Sequence, residues 1–193
     1  MASYRNGYAS LLTCAEPVRP DFDPGRHPDT SFKYVELADI DMSLGIIRSA
    51  SEIKGEEAPS RARRILKKGD VIVSSVEGSL EKVALVDEEY EGSLASTGFF
   101  QFRRRGLQPE VLLVLARSIV LQAQLKRECA GTILTAVTNE SLKRIVIPIL
   151  PPRVQQGIAE LIRQSHEARR KARDLLEEAK RKVEEAIEAA STT

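Results

Sequence analysis

The spacing of hydrophobic residues divides the chain into two parts. Up to about residue 150, short apolar runs alternate with turn residues, which is typical of strands. Residues 71–73 and 82–86 flank a glycine-containing turn and predict a hairpin, and residues 98–102 predict a further strand. After Pro109, residues 111–125 are apolar on nearly every side, which predicts one helix buried against a sheet.

The second part follows Pro151 and Pro152 and predicts one uninterrupted helix. Residues 153–190 contain no proline and would form a helix about 55 Å long. Apolar and small residues recur at steps of three and four, a heptad pattern that includes Ile158, Leu161, Ala168, Ala172, Leu175, Ala179 and Val183. The helix could fold back on its own domain. A helix–helix interface between subunits or repeats is favoured, because the stripe needs a partner along its whole length.

These elements predict an α+β or α/β fold in two parts. Residues 1–150 are expected to form a domain with a mixed, strongly curved sheet, and residues 151–193 a long coiled-coil helix. Four prolines between residues 17 and 28 predict an irregular start. Cys14 and Cys129 are expected to be free thiols in a reducing cytosol, with a disulfide as the alternative.

Composition and charge leave the class of partner open. The chain has 193 residues, of which 42% are hydrophobic and 30% charged, and it has no run long enough to span a membrane. Its start lacks the apolar core of a secretory signal, so a cytoplasmic location is expected. The net charge is only +1, yet residues 48–68 hold seven cations against three glutamates, whereas residues 77–91 are acidic. A local basic face can still bind phosphates.

Motifs for catalysis are missing from the sequence. It contains no glycine-rich phosphate loop, no His-Glu-x-x-His, no Cys-x-x-Cys and no Asn-Pro-Pro-Tyr or Asp-Pro-Pro-Tyr. Both histidines, His27 and His166, are predicted to be plain surface residues. One enzyme hypothesis survives, a Mg²⁺-dependent nuclease that uses Asp39 or Asp41, Glu52 and Lys54. It requires a central strand at Glu52, where the sequence favours a solvated loop instead.

Several segments, in a fixed order, resemble one family. The segments are residues 34–40, a basic–Gly-Asp–aliphatic–Ser run at 67–75, the strand at 82–86, the loop at 95–99, the turn at 130–132 and the Ile-Pro…Pro-Pro junction at 147–152. Together with residues 155–159 at the start of the long helix, they are similar to a target-recognition domain of type I restriction–modification specificity subunits. The resemblance covers about residues 33–188, which is room for one recognition domain where such subunits hold two.

The resemblance implies a non-catalytic, sequence-specific DNA-binding subunit. It would read one half of a split target in double-stranded DNA for DNA methylation and phage defence. Its partners would be DNA adenine methyltransferase subunits, which carry S-adenosylmethionine, and a restriction and translocation subunit. The chain itself would hold no metal and no cofactor. A DNA-free coiled-coil scaffold is the alternative from another class.

The candidate DNA contacts are basic and polar residues in predicted loops. Phosphates would be bound by cations and base edges by polar side chains, at Arg61, Arg63, Arg64, Lys67, Ser96, Thr97, Arg103, Arg104, Arg105 and Thr132. Phe99, Phe100 and Phe102 are predicted to pack in the core rather than stack on bases. The long helix is expected to form a homodimer with a second copy, which makes the target an interrupted palindrome.

Overall fold

The computed structural model describes residues 6–130 and 135–191. The strands are β1 Tyr8–Ser10, β2 Ala15–Pro17, β3 Ser31–Val35, β4 Ile40–Asp41, β5 Ile46–Ile47, β6 Ser51–Lys54, β7 Ala62–Ile65, β8 Val71–Ser74, β9 Val83–Leu85, β10 Leu94–Ser96, β11 Phe99–Arg104, β12 Cys129–Ala130, β13 Ala136–Val137 and β14 Val146–Pro148. The helices are α1 Leu11–Cys14, α2 Pro109–Arg117, α3 Ile119–Arg127 and α4 Pro152–Ser191. Short 3₁₀ turns occur at Pro24–Arg26, Leu37–Asp39, Gly55–Glu57, Glu88–Tyr90 and Ser141–Arg144.

Two mixed sheets form the body of the domain in the described residues. The larger has the order β2-β11-β8-β9-β5-β4 and the smaller the order β6-β3-β10-β7. Most neighbours are antiparallel, but β5 pairs parallel with β9 and β3 parallel with β10. The predicted hairpin is β8 with β9, in antiparallel register from Val71 opposite Leu85 to Val73 opposite Val83. The predicted mixed α+β class is confirmed.

The larger sheet lies between two hydrophobic layers, because strand side chains alternate between its faces. On one face, Val71 and Val73 pack with α2 and α3, and on the other Ile72 packs with residues of the smaller sheet. The predicted strand of phenylalanines follows the same alternation. Phe100 and Phe102 join the helical layer, whereas Phe99 joins the layer between the sheets. The core role predicted for these aromatic rings agrees with their burial.

The predicted helix over residues 111–125 is interrupted. Ser118 adopts an extended conformation (φ −68°, ψ 148°), ends α2 and accepts a hydrogen bond from the Leu121 backbone N–H as the N-cap of α3. Serine competes for backbone hydrogen bonds and favours such caps, so it divides the apolar run. The prediction that the whole helix is buried was also wrong, since Ile119 is 84% exposed.

The N-terminal segment contributes more order than its prolines predicted. β1 pairs with β14, and β2 adds an edge strand to the larger sheet by pairing with β11. The chain then runs as a loop across the outer face of the smaller sheet, where Phe22 and Phe32 pack beside Ile65. This loop forms one wall of a cleft described below.

The long helix α4 is continuous over 40 residues, about 60 Å. Its first turns pack against α2, with Ala159 fully buried and Ile158 and Ile162 half-buried in the helical layer. Every residue from 170 to 190 is exposed. The single helix is confirmed, while the domain boundary at residue 150 stays a prediction. Across the described residues, no helix is long and apolar enough to cross a membrane.

Candidate nucleic-acid interface

Exposure alternates along the basic segment that contains β7, an edge strand of the smaller sheet. Ala62, Arg64 and Leu66 are buried, whereas Arg61 and Lys67 are exposed and Arg63 is half-buried. The register of β7 on β10 shifts between Ala95 and Ser96, a bulge that leaves Arg63 without a partner residue on β10. The segment is therefore a bulged edge strand and not the basic helix face that its charges also allowed.

The prediction that Arg64 contacts DNA is wrong. Arg64 is 4% exposed and donates a hydrogen bond to the Val18 carbonyl oxygen at 2.7 Å. Burial lowers its pKa to about 10, because the charged guanidinium is removed from water. Arg64 thus ties the N-terminal loop to the smaller sheet.

The fold brings together Arg61 and Thr97, two of the predicted DNA contacts. The Thr97 backbone N–H donates to the Arg61 carbonyl oxygen at 2.8 Å, and both side chains are exposed. The prediction that Ser96, at the end of β10, contacts DNA is wrong. Ser96 is 6% exposed, and its hydroxyl accepts a hydrogen bond from the Gly98 N–H at 3.1 Å, so it supports the turn.

A buried carboxylate, Asp70, aligns Lys67 with Arg103. Asp70 is 1% exposed and accepts hydrogen bonds from the Lys67 backbone N–H at 3.0 Å and from Gln101 at 2.6 Å. Arg103 forms two hydrogen bonds to the same carboxylate, at 3.1 and 3.3 Å, and keeps 40% of its side chain exposed. A bidentate pair of this kind holds a guanidinium in one orientation. We name Arg61, Arg63, Lys67 and Arg103 the β7 edge.

The run of three arginines at the end of β11 is not one cluster. Neighbouring strand residues point to opposite faces, so Arg103 joins the β7 edge while Arg104 faces away from it. Arg105 donates to the Leu12 carbonyl oxygen at 3.3 Å, near the N-terminal strands. Arg104 and Arg105 are both exposed, and their contacts with DNA stay predictions. Thr132 lies outside the described residues.

Beside the β7 edge lies a cleft of about 760 Å³ that sequence reasoning missed. Phe22, His27 and Phe32 form its aromatic wall, and Ile65, Lys67 and Arg103 also line it. The signal was weak, since these aromatic residues stand in a proline-rich stretch without periodicity. His27, predicted to be a plain surface residue, is exposed but takes part in this wall.

The residues of the nuclease hypothesis do not form one site. Glu52 and Lys54 lie on β6, an exposed edge strand rather than a loop or a central strand. Asp39 accepts a hydrogen bond from Ser49, and Asp41 accepts from Ser43 and belongs to the larger sheet. Within residues 6–130 and 135–191, no three acidic, histidine or cysteine side chains meet as a metal site.

The long helix presents two different faces. One faces its own domain and includes Ile158, Ala159, Ile162 and His166, whose ring nitrogen lies 3.4 Å from the Leu44 carbonyl oxygen. The predicted stripe lies about a quarter-turn away, at 3.6 residues per turn, and Leu161, Leu175 and Val183 on it are 57–67% exposed. Ile158 is the exception, because it packs on its own domain.

The acidic stretch of the sequence meets the basic middle of α4. Arg173 forms an ion pair with Glu89 at 3.0 Å, and this pair raises the pKa of the Arg173 guanidinium. Lys68 bonds Glu88 at 2.7 Å, and this bond, with Arg170 nearby, lowers the pKa of the Glu88 carboxyl. We name the contact of Arg173 and Arg170 with the turn Glu88–Tyr90 the helix clamp.

Comparison with known proteins places this fold. A chain of a solved type I restriction–modification system, described for its complex assembly and conformational transition, is 35% identical over 89% of this chain, with a TM-score of 0.72. The HsdS subunit of Thermoanaerobacter tengcongensis is 33% identical over 93%, with a TM-score of 0.70. The S subunit of a type I system from M. genitalium, 13% identical with a TM-score of 0.53, shares the fold. Neither a protein-family model nor a curated protein sequence matches.

The fold is a curved mixed-sheet domain followed by one long helix, and it matches the fold of these specificity subunits. The chain belongs to the specificity-subunit family of type I restriction–modification systems, as its sequence segments indicated. It spans 45% and 46% of the length of the first two matched chains, so it corresponds to about half of such a subunit.

Proposed function

We propose that this chain recognises a half-site in double-stranded DNA as a specificity subunit of a type I restriction–modification system. The observation that carries the proposal is its identity of 33–35% to specificity-subunit structures over about nine-tenths of the chain. The β7 edge supports it, because Arg61 and Lys67 present exposed positive charge. Arg63 and Arg103 complete it, each in an ion pair with an aspartate and each partly exposed. Phosphate contacts of this kind orient a protein on the duplex.

Catalysis in this proposal belongs to other subunits. The partners are a DNA adenine methyltransferase subunit, which would bind S-adenosylmethionine, and a restriction and translocation subunit. The specificity chain contributes binding and position only. The cytoplasm, where such a complex meets DNA, is the proposed location.

DNA binding is tested by removing charge from the β7 edge. Replacing Arg61, Arg63 and Lys67 with alanine should weaken binding to every duplex about tenfold or more and flatten the salt dependence by a slope of about three. The control removes equal charge from exposed Lys126, Arg153 and Lys171. Fluorescence anisotropy at several salt concentrations measures both quantities. A parent protein that binds no duplex would instead favour the DNA-free scaffold.

The second part of the proposal concerns assembly. Because the chain has one recognition domain, a bipartite site requires a second copy, and we propose a two-fold homodimer through the exposed stripe of α4. Leu161, Leu175 and Val183 supply apolar area, while Ala168, Ala172 and Ala179 allow close approach. Arg173 already pairs with Glu89 of its own domain, so the apolar stripe supports the dimer more than the helix charges do.

Two measurements test assembly. Sedimentation of the unmodified chain at micromolar concentration should show a dimer, and a monomer would contradict the pairing. Co-purification with a methyltransferase subunit, followed by mapping of the methylated motif, should give an interrupted palindrome. An asymmetric bipartite motif would show that another chain supplies the second half.

A further inference from the structure

We infer that the cleft beside the β7 edge binds an unstacked nucleotide of the DNA. The base would lie on the ring pair of Phe22 and His27, and the phosphate on Arg19 and Lys67. This inference rests on the proposed function and adds a second mode of contact to it. The β7 edge contacts the outside of a duplex, whereas the cleft accepts a base that has left the helical stack.

The aromatic wall of the cleft is already ordered as a stack. The rings of Phe22 and His27 are parallel within 3°, with centroids 5.6 Å apart, and Phe32 packs edge-on against Phe22 at 5.8 Å. Phe22 and Phe32 are half-buried, while His27 is exposed. Flat aromatic faces bind base faces, and in a paired duplex those faces are covered by neighbouring bases. The chemistry therefore favours a base that is unpaired or displaced.

The rim carries positive charge for a phosphate. Arg19 and Lys67 line the cleft, and among the described residues their side chains have no hydrogen-bond or ion-pair partner. The carboxylate of Asp23 is occupied, since Arg63 lies 2.9 Å and Arg26 3.7 Å from it. Asp21 is the remaining acid on the rim. Cations next to an accessible aromatic stack match the two parts of a nucleotide.

Close packing at Gly55 holds the aromatic wall in place. A Cβ atom at this position would lie 2.0 Å from the His27 carbonyl oxygen and 2.5 Å from that of Pro24. The turn Pro24–Arg26 therefore rests directly on the backbone after β6. The Phe22 backbone N–H also donates to the Arg63 carbonyl oxygen at 3.1 Å, which joins the loop to β7. A preformed wall reduces the entropy lost on binding.

The test compares two labelled duplexes of the same sequence, one fully paired and one with a single unpaired nucleotide. The unmodified protein should bind the second duplex about tenfold more tightly, because one stacked base contributes to binding. His27→Ala should remove this preference without changing the salt slope, and His27→Phe should retain it. Replacing Arg19 and Lys67 with alanine should weaken both complexes and lower the slope by about two.

The outcomes separate this inference from the proposed function. Equal binding of both duplexes by the unmodified protein would overturn the cleft and leave half-site recognition intact, as would a full preference in His27→Ala. Binding of neither duplex would remove the proposed function and the cleft with it. Thermal unfolding of each variant checks that the domain is folded, and Lys126→Ala with Lys171→Ala is the matched control for lost charge.

Discussion

The two halves of α4 have the same periodicity but different surroundings. From Pro152 to Arg173, the helix rests on α2 through Ala159 and Ile162 and is held by the helix clamp. Beyond Arg173, every residue as far as residue 190 is exposed. The inner half therefore packs on its own domain, whereas the outer half leaves its apolar side chains in solvent, where the proposed dimer would cover them.

The outer half carries its own stabilisation. Lys180 pairs with Glu177, Lys182 with Glu178, and Arg181 lies 3.9 Å from Glu185, at the spacings that support an isolated helix. Such pairs contribute only a few tenths of a kcal/mol each. Leu175, Leu176, Val183 and Ile187 are 57–60% exposed, so apolar burial is available to a partner.

The largest effect is expected at the dimer stripe. Placing aspartate at Ala172 and Leu175 should weaken dimerisation by about a thousandfold or more, because two charges would be buried without partners. The domain should stay folded as a monomer, since both side chains are exposed in the single chain. Sedimentation measures the dimer, and Arg181→Asp, on the opposite side of the helix, is the control. A dimer that persists would place the interface elsewhere.

In the inner half of α4, substitutions on the two faces of the helix should differ in their effect on the free energy of unfolding. Ile162→Ala should lower the free energy of unfolding by about 1–3 kcal/mol, because a half-buried side chain is lost from the core. Leu161→Ala, which is 67% exposed, should change it by less than about 0.5 kcal/mol. Both are measured by urea denaturation in the monomeric double-aspartate background. Equal costs would mean that both faces pack on the domain.

The helix clamp should contribute less to stability than the packing of Ile162. Arg173→Ala should lower stability by less than about 1 kcal/mol, because the Arg173 and Glu89 side chains are 48% and 41% exposed. The loss should disappear at high salt, which screens exposed pairs. Lys182→Ala, on the outer half of α4, serves as the comparison. A loss that is independent of salt would indicate packing rather than charge.

The smallest effect is a pH dependence at Glu88, on the turn that the helix clamp contacts. The bond from Lys68 holds the pKa of Glu88 below its ordinary 4.5. A carboxyl with a lowered folded pKa adds stability above 4.5, and this part is lost as pH falls through the folded value. Lys68→Met should therefore reduce the fall in unfolding midpoint between neutral and acidic pH. An unchanged acid profile would show that Glu88 contributes nothing measurable.

The sequence alone determined the elements whose signals are local. Heptad spacing and the absence of proline predicted α4, the glycine turn predicted the β8–β9 hairpin, and ordered segments indicated the specificity-subunit family. Helix and hairpin depend on short spacings between nearby residues, and the family resemblance depends on the order of short segments along the chain. The printed sequence contains both. The cap at Ser118 was also local, but the apolar run around it concealed the break.

Only the tertiary structure decided which side of each element faces the core. Arg64 and Ser96 are polar residues in a basic or polar stretch, yet both are buried where β7 pairs with β10. Phe22 and His27 meet Lys67 because β7 folds against the N-terminal loop, a contact between segments about forty residues apart. The facing of a strand or helix is set by pairing with distant segments, whose free energy no local pattern records.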